Sequence, residues 1–496
     1  MTFFKRPNTH KLVFLLLFLS IESFAQEQID NGEDYQFRDR EKSTYIQDLD
    51  RFKGLETTVK SITLNDVIEQ GLRENHDENI RHMQDSLNEL QWKDDFSDFW
   101  YPSLNLTLQT NEYRLGTLKS GSLNSSPRSD RVSGSFGLEI NDYTIFNWGK
   151  DYLGYLNKKE TYKRTKQNFK EKTRELKHQL IIEYFNLLTI KNIENAYRDQ
   201  LRQASFIYRL NQEKLTLKKI RKQDYLQARA DYLKAQDEYH QARINSQVAD
   251  ETFAYLIKDV PGTKYQFIEE IKFKQIQTTV SESIRLALES SPNILNAKTT
   301  LENAKRDYEI VQRERLPLPK ISLTLGSYAQ EFSSSTNDFR YRTDPGNSNI
   351  DFVAMVNASW SIWGSGGFFK ERTSQKSLLN REIARKSLNK ENHFKKAEIY
   401  QIYRRIMHYQ NLIRILEAKN NNLRKTFDAV LENYMNKKTA YINYTDILEK
   451  YTNSEVEYLQ AKYEHLRQKV LLAKAVGIED FPGENFENLA VKRRRK

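Results

Sequence analysis

Most of the chain repeats its apolar residues at helical spacing, while four short stretches alternate apolar with polar residues. From Leu64 to about Phe99, apolar residues such as Ile68, Leu72, Ile80, Leu87 and Leu90 predict one helix. Pro102 ends it and opens an extended segment. There Leu104, Leu106 and Leu108 face away from Ser103, Asn105, Thr107 and Gln109. Strands are predicted at about 103–115, 131–147, 320–330 and 350–363, with polar loops inside each pair. Between them run long helical stretches. Gly149 to about Leu217 is near-continuous, roughly 69 residues and therefore about 100 Å.

The chain also repeats itself. Pro102-Ser103-Leu104-Asn105-Leu106-Thr107-Leu108 returns as Pro319-Lys320-Ile321-Ser322-Leu323-Thr324-Leu325, a shift of 217. Tyr143-Thr144-Ile145-Phe146-Asn147-Trp148-Gly149 returns at the same shift as Trp360-Ser361-Ile362-Trp363-Gly364-Ser365-Gly366. Two patches with one offset mean a duplicated unit. The expected organisation is a signal peptide at 1–25, a polar extension at 26–61, a first repeat at 62–279, a second at 280–478 and a basic tail at 479–496. Each repeat carries a helical hairpin, with tips at about 217–224 and 438–446. Two helices of about 36 residues together match one long helix in length. The long helix therefore runs from the strands to the tip, one short helix returns halfway, and the next, from Leu64 or Ser281, continues to the strands. Lys258–Thr279 and the C-terminal tail are expected to form a belt at the midpoint. Heptads such as Tyr225, Tyr232 and Tyr239 with Ala228, Ala235 and Ala242 predict side-by-side coiled-coil packing.

Composition narrows the class. With 17 Gly, 9 Pro and 29% charged residues in 496, the chain suits long solvated helices. Its formal charge of +11 is spread among alternating acids and bases, which argues against nucleic acid. The run Lys492-Arg493-Arg494-Arg495-Lys496 reads as a solvated tail. Lys5, Arg6 and Lys11, the apolar run Leu12–Leu19 and then Ser23-Phe24-Ala25 form a signal-peptide pattern. No cysteine is present, so disulfides are excluded. No other stretch is apolar enough for a membrane helix, so membrane entry requires a β-barrel. Aromatics at the strand ends, including Trp100, Tyr101, Phe146, Trp148, Trp360 and Trp363, fit an interfacial girdle. Four strands cannot close a barrel. Protomers must share one, two giving eight strands or three giving twelve.

The duplication, the Pro-initiated strands, the strand exits at Gly149 and Gly366 and the closing Ala475-Val476-Gly477 resemble the TolC-like outer-membrane efflux family, over nearly all of 62–478. The tip segments Leu217–Ala228 and Thr439–Lys450 carry the resemblance too. It implies a mostly α fold with a membrane β-barrel: long antiparallel coiled-coil helices, and a homotrimer sharing twelve strands above a periplasmic α-helical tunnel. It implies an outer-membrane location in a Gram-negative cell, docking to a periplasmic adaptor and an inner-membrane pump, and export of small molecules or proteins. Carboxylates at the family's entrance constriction map onto Asp446 and Glu449, with Asp224 as the first tip's counterpart. Lys218, Lys219, Ala440 and Tyr441 map onto adaptor-docking tips. Family members commonly carry Gly at the tip turns, where this chain has Lys218 and Ala440. The Tyr and Arg that lock the entrance of well-known members have no clear match.

Nothing in the sequence resembles an active site. The eight His residues have no metal-ligand spacing, and Gly364-Ser365-Gly366-Gly367 lacks the lysine of a phosphate loop. The expectation is no enzyme, cofactor or metal. The competing readings are a periplasmic coiled-coil adaptor and a secreted fibrous protein. An adaptor normally has one helical hairpin, whereas this chain has two copies, each with amphipathic strands; the fibrous reading leaves the four alternating segments unexplained.

Overall fold

Two very long helices set the dimensions of the molecule. In this computed structural model the described residues are 59–110, 117–119, 122–124, 134–329, 351–360, 371–436, 438–481 and 485–492. All lie in the compact unit Thr57–Lys496. The expected signal peptide and the extension up to residue 58 lie outside the described residues.

The first repeat holds α1 (Leu64–Glu74), α2 (His76–Trp100), α3 (Lys150–Thr216) and α4 (Lys222–Ile257). The second holds α5 (Val280–Ser290), α6 (Pro292–Glu314), α7 (Glu371–Met435) and α8 (Tyr441–Val476). At 67 and 65 residues, α3 and α7 each extend about 100 Å. Toward the distal tips α4 packs on α3, α3 on α8, and α8 on α7; toward the strands the order is α2, α3, α6, α7.

The single helices expected over 64–99 and 281–315 are each broken, and at matching points of the two repeats. At Asn75 the backbone leaves the helical region (ψ 135°), and the side-chain Oδ1 accepts from the amides of Asp77 and Glu78, starting α2 anew. Its amide nitrogen donates to the Leu256 carbonyl at 2.8 Å, pinning the break to the end of α4. In the second repeat Pro292 begins α6 and forces Ser291 into an extended conformation (ψ 127°). Hydrophobic spacing continues across both breaks, which is why periodicity alone missed them.

The breaks sit at a belt. Strand β1 (Val59–Ser61) pairs in parallel with β6 (Lys264–Gln266), and β7 (Glu269–Ile271) pairs antiparallel with β10 (Ala490–Lys492). Residues 59–61, expected as the end of a loose extension, are thus a strand, and the tail is tied into the belt. Beneath it lies the largest core, where Tyr184, Phe185, Phe253, Phe481 and Phe486 are buried. Each such side chain contributes roughly 2 kcal/mol by leaving water. Tyr184 donates its hydroxyl to Glu269. Gly477 ends α8 at φ 86°, and a Cβ there would lie 2.4 Å from the Ser290 carbonyl oxygen. Only glycine allows α8 to turn so close to the α5–α6 break.

The remaining strands are β2 (Asn105–Thr110), β3 (Thr117–Lys119), β4 (Ser122–Asn124), β5 (Gly134–Phe146), β8 (Lys320–Ala329) and β9 (Asp351–Ser359). β3 and β4 form a small hairpin. The others make one antiparallel sheet in the order β2-β5-β8-β9, so the two repeats meet at the β5–β8 pair.

Candidate functional site

Two regions carry the chemistry the sequence pointed to: the four-stranded sheet and the hairpin tips at the far ends of α3 and α7. In the sheet, cross-strand partners share a face. Leu106 pairs with Leu138, Ile140 with Leu325, and Leu323 with Val356, which builds one apolar face. Asn105 pairs with Glu139, and Ser322 with Asn357, on the other. The apolar face is bare: Leu104 is 61%, Leu106 64% and Val356 65% exposed. The outer edges of β2 and β9 have no strand beside them among the described residues. Trp100, Tyr101, Phe146, Trp148 and Trp360 are exposed near the strand ends. Trp363 lies outside the described residues.

The strand-to-helix exit is a small lock. Trp148 (φ 54°) and Gly149 (φ 73°) both take left-handed conformations. The Trp148 indole donates to the Pro319 carbonyl at 2.9 Å, and Arg313 donates to the Trp148 carbonyl at 2.7 Å. One repeat's exit is thereby held by the other repeat's entry.

At the tips, α3 ends at Thr216 and α4 begins at Lys222. Lys218 closes the turn in a left-handed conformation (φ 53°), the shape for which the sequence comparison expected glycine. Lys219 donates its amide to the Lys214 carbonyl at 2.8 Å. In the second tip, Lys438 donates to the Asn433 carbonyl at 2.8 Å, and the exposed Ala440 precedes α8 at the N-cap position, where it supplies no side-chain hydrogen bond.

The two tips are bound side by side. Tyr441 donates its hydroxyl to Asp231 at 2.8 Å, and Tyr434 donates to Asn211 at 2.6 Å. The Lys214 ammonium lies 4.8 Å from the centre of the Tyr434 ring. Ile207, Phe427, Tyr434, Tyr444 and Leu448 form a separate core there. Tyr208 stacks on Tyr232, with ring centres 5.2 Å apart, and meets Tyr225 hydroxyl to hydroxyl at 3.2 Å. Tyr225 and Tyr232 of the heptad therefore pack against α3. Burial, and then the Asp231 carboxylate, push the Tyr441 phenol well above its usual range, so it stays a donor.

The expected constriction carboxylates are distributed differently from a bare acidic pair. Glu449 accepts from Lys234 of α4 at 2.8 Å, and Asp446 pairs with Lys450 one turn along α8 at 2.7 Å. Both carboxylates are about half exposed (50% and 53%). The hydrogen bond from Lys234 to Glu449 raises the pKa of the lysine. Asp224 is exposed in the first turn of α4. Sequence reasoning missed Asp231, Lys234, Asn211 and Tyr434. Nothing marks them in the chain, because their partners are over 200 residues away.

Against known proteins, one segment of the chain matches a family. Residues 97–257 match the outer membrane efflux protein family. The family resemblance read from the sequence is thereby supported on the segment from the end of α2 to the end of α4. Solved outer membrane proteins share the fold. The CmeC outer membrane channel of Campylobacter jejuni is 19% identical, with a TM-score of 0.66 over 86% of this chain and 88% of that one. VceC of Vibrio cholerae is 13% identical, with a TM-score of 0.68 over 84% and 96%. The open-state MtrE channel of Neisseria gonorrhoeae is 15% identical, with a TM-score of 0.60 over 84% and 89%. No curated protein matches the chain. Among the described residues no group of side chains could hold a metal ion.

Proposed function

We propose that the chain is the outer-membrane duct of an export pump, with three copies pooling their sheets into one twelve-stranded barrel above an α-helical tunnel. The observation that carries this reading is the sheet. It has a bare apolar face, a polar face and, among the described residues, two open edges, at one end of a stack of long helices. An open edge in lipid leaves backbone groups unsatisfied, and closure among copies removes it. The family match and the efflux-channel fold support the same reading.

In this reading the tips face the periplasm. Lys218, Lys219, Ala440 and Tyr441 form the adaptor-docking ends, and an inner-membrane pump drives cargo through the tunnel. Asp446, Glu449 and Asp224 ring the entrance, partly compensated by Lys234 and Lys450. Tyr441–Asp231 and Lys234–Glu449 tie the second hairpin to the first and fill the place of the lock that the sequence did not reveal. The adaptor reading is not favoured, since it leaves the sheet without a role.

The test is the mature protein purified in detergent. A trimer that migrates differently when boiled and opens conducting pores in planar bilayers is the expected result. A water-soluble monomer with no insertion into vesicles overturns the proposal.

A further inference from the structure

The long helices of one copy lie in a row with two free ends. Toward the tips the row begins at α4, toward the strands at α2, and at both levels it ends at α7. Both ends carry bare apolar side chains. Ile80, Leu87, Leu233, Val248 and Tyr255 on α2 and α4 are each more than half exposed, and so are Ile383, Phe394, Tyr400 and Ile415 on α7. Bare apolar positions recurring along a helix mark a surface that meets another protein.

The duplication outlines the partner. Inside one copy the two repeats already meet, α3 of the first against α6 and α8 of the second. The free ends are the counterparts of that junction: α7 corresponds to α3, α2 to α6 and α4 to α8. Both α4 and α8 have 36 residues, so Lys222 matches Tyr441, an offset of 219. The same offset matches α3 to α7, counted back from Thr216 and Met435. Counting from the breaks at Asn75 and Ser291 matches α2 to α6.

Contacts that are polar within the copy have apolar counterparts at the free ends. Glu175 faces Lys474 at 4.0 Å; their counterparts are Phe394 and Tyr255. Arg164 donates to Asn296 at 2.6 Å; their counterparts are Ile383 and Ile80. Ala196 and Thr452 are buried, and their counterparts Ile415 and Leu233 are bare. Burial of such side chains is what draws separate chains together. Charge is matched as well. Exposed Asp237 and Glu251 of α4 stand where α8 has buried Val456 and Val470, and exposed Arg404 of α7 stands where α3 has buried Phe185.

We propose that α7 of one copy receives α2 and α4 of a second copy in the register that α3 holds with α6 and α8. This rests on the reading of three pooled copies and adds which helices meet and how they are aligned. Phe394 then covers Tyr255, Ile383 covers Ile80, Ile415 covers Leu233, and Arg404 joins Asp237 and Glu251 in the same seam. Repeated head to tail, the contact closes a ring without free helix ends. Around that ring, polar junctions within copies alternate with apolar junctions between them.

The chain has no cysteine, so pairs can be introduced without background. The test takes the full-length protein in detergent with Tyr255→Cys and Phe394→Cys, or with Ile80→Cys and Ile383→Cys, all at exposed positions, and adds a short bis-maleimide. Both matched pairs are expected to give covalent dimers and trimers on a denaturing gel. Tyr255→Cys with Ile415→Cys is displaced along α7 by 21 residues, about 30 Å, and should stay monomeric. Linkage of the displaced pair overturns the register. So does failure of both matched pairs in a protein that size-exclusion chromatography shows to be trimeric; the three-copy reading then stands without this seam. A monomer in detergent overturns the three-copy reading and the seam with it.

Discussion

Tyr441, the first residue of α8, gives its hydroxyl hydrogen bond to Asp231 of α4, 210 positions earlier in the chain. Together with Lys234–Glu449, it couples the tips of two hairpins whose helices otherwise pack mainly with their own sequence neighbours. A charge-assisted bond of this kind contributes roughly 1.5–3 kcal/mol. Tyr441→Phe keeps the ring and removes the bond. It is expected to raise single-channel conductance in planar bilayers and to lower the thermal transition by only a few degrees. Conductance identical to the wild type would show that this contact does not hold the entrance.

Removing the lysines should expose the entrance carboxylates. Lys234→Met with Lys450→Met frees Glu449 and Asp446 from their partners and should increase cation selectivity, read as a shifted reversal potential across a salt gradient. Asp446→Ala with Glu449→Ala should move it the other way. If neither pair shifts the potential across a range of pH, these carboxylates do not line the constriction.

Gly477 is expected to resist substitution. Alanine there combines a left-handed backbone (φ 86°) with a Cβ 2.4 Å from the Ser290 carbonyl oxygen. The strain alone is about 1–2 kcal/mol per such residue, and the close contact adds to it. Gly477→Ala should lower the melting temperature followed by circular dichroism, whereas Gly154→Ala, with nothing near its Cβ, should not.

The belt should weaken in acid. His465 of α8 is buried against Phe273, with its Nε2 lacking a hydrogen-bond partner. Burial, reinforced by Lys469, holds its pKa down to about 4. The folded state therefore refuses a proton that the unfolded chain accepts. Stability is complete above the ordinary histidine value and falls as the pH drops toward about 4. The loss amounts to about 3 kcal/mol. Chemical denaturation of the wild type and His465→Gln at a series of pH values should give a flatter profile for the variant. Parallel profiles would remove His465 as the cause.

The apolar face of the sheet should reject charge. Leu106→Arg or Val356→Arg places a cation where lipid is expected, at a cost of about 2–4 kcal/mol near the bilayer midplane. Heat-modifiable trimers in the outer-membrane fraction should fall sharply for either variant. Asn357→Arg, on the opposite face, should spare assembly and change conductance instead.

Periodicity and the 217-residue repeat were enough to read helices, strands and hairpin tips, because each is written in local spacing. The breaks at Asn75 and Ser291 were hidden, since apolar spacing runs on through both. So was the role of residues 59–61, which become a strand only when 264–266 lie beside them. The site divides in the same way. Asp446 and Glu449 could be placed on one helix face from their spacing of three. That Glu449 meets Lys234, and that Tyr441 reaches Asp231, depended on the two repeats folding against each other. A partner more than 200 residues away leaves no trace in a hydrophobic pattern; only the packed structure brings it within hydrogen-bonding distance.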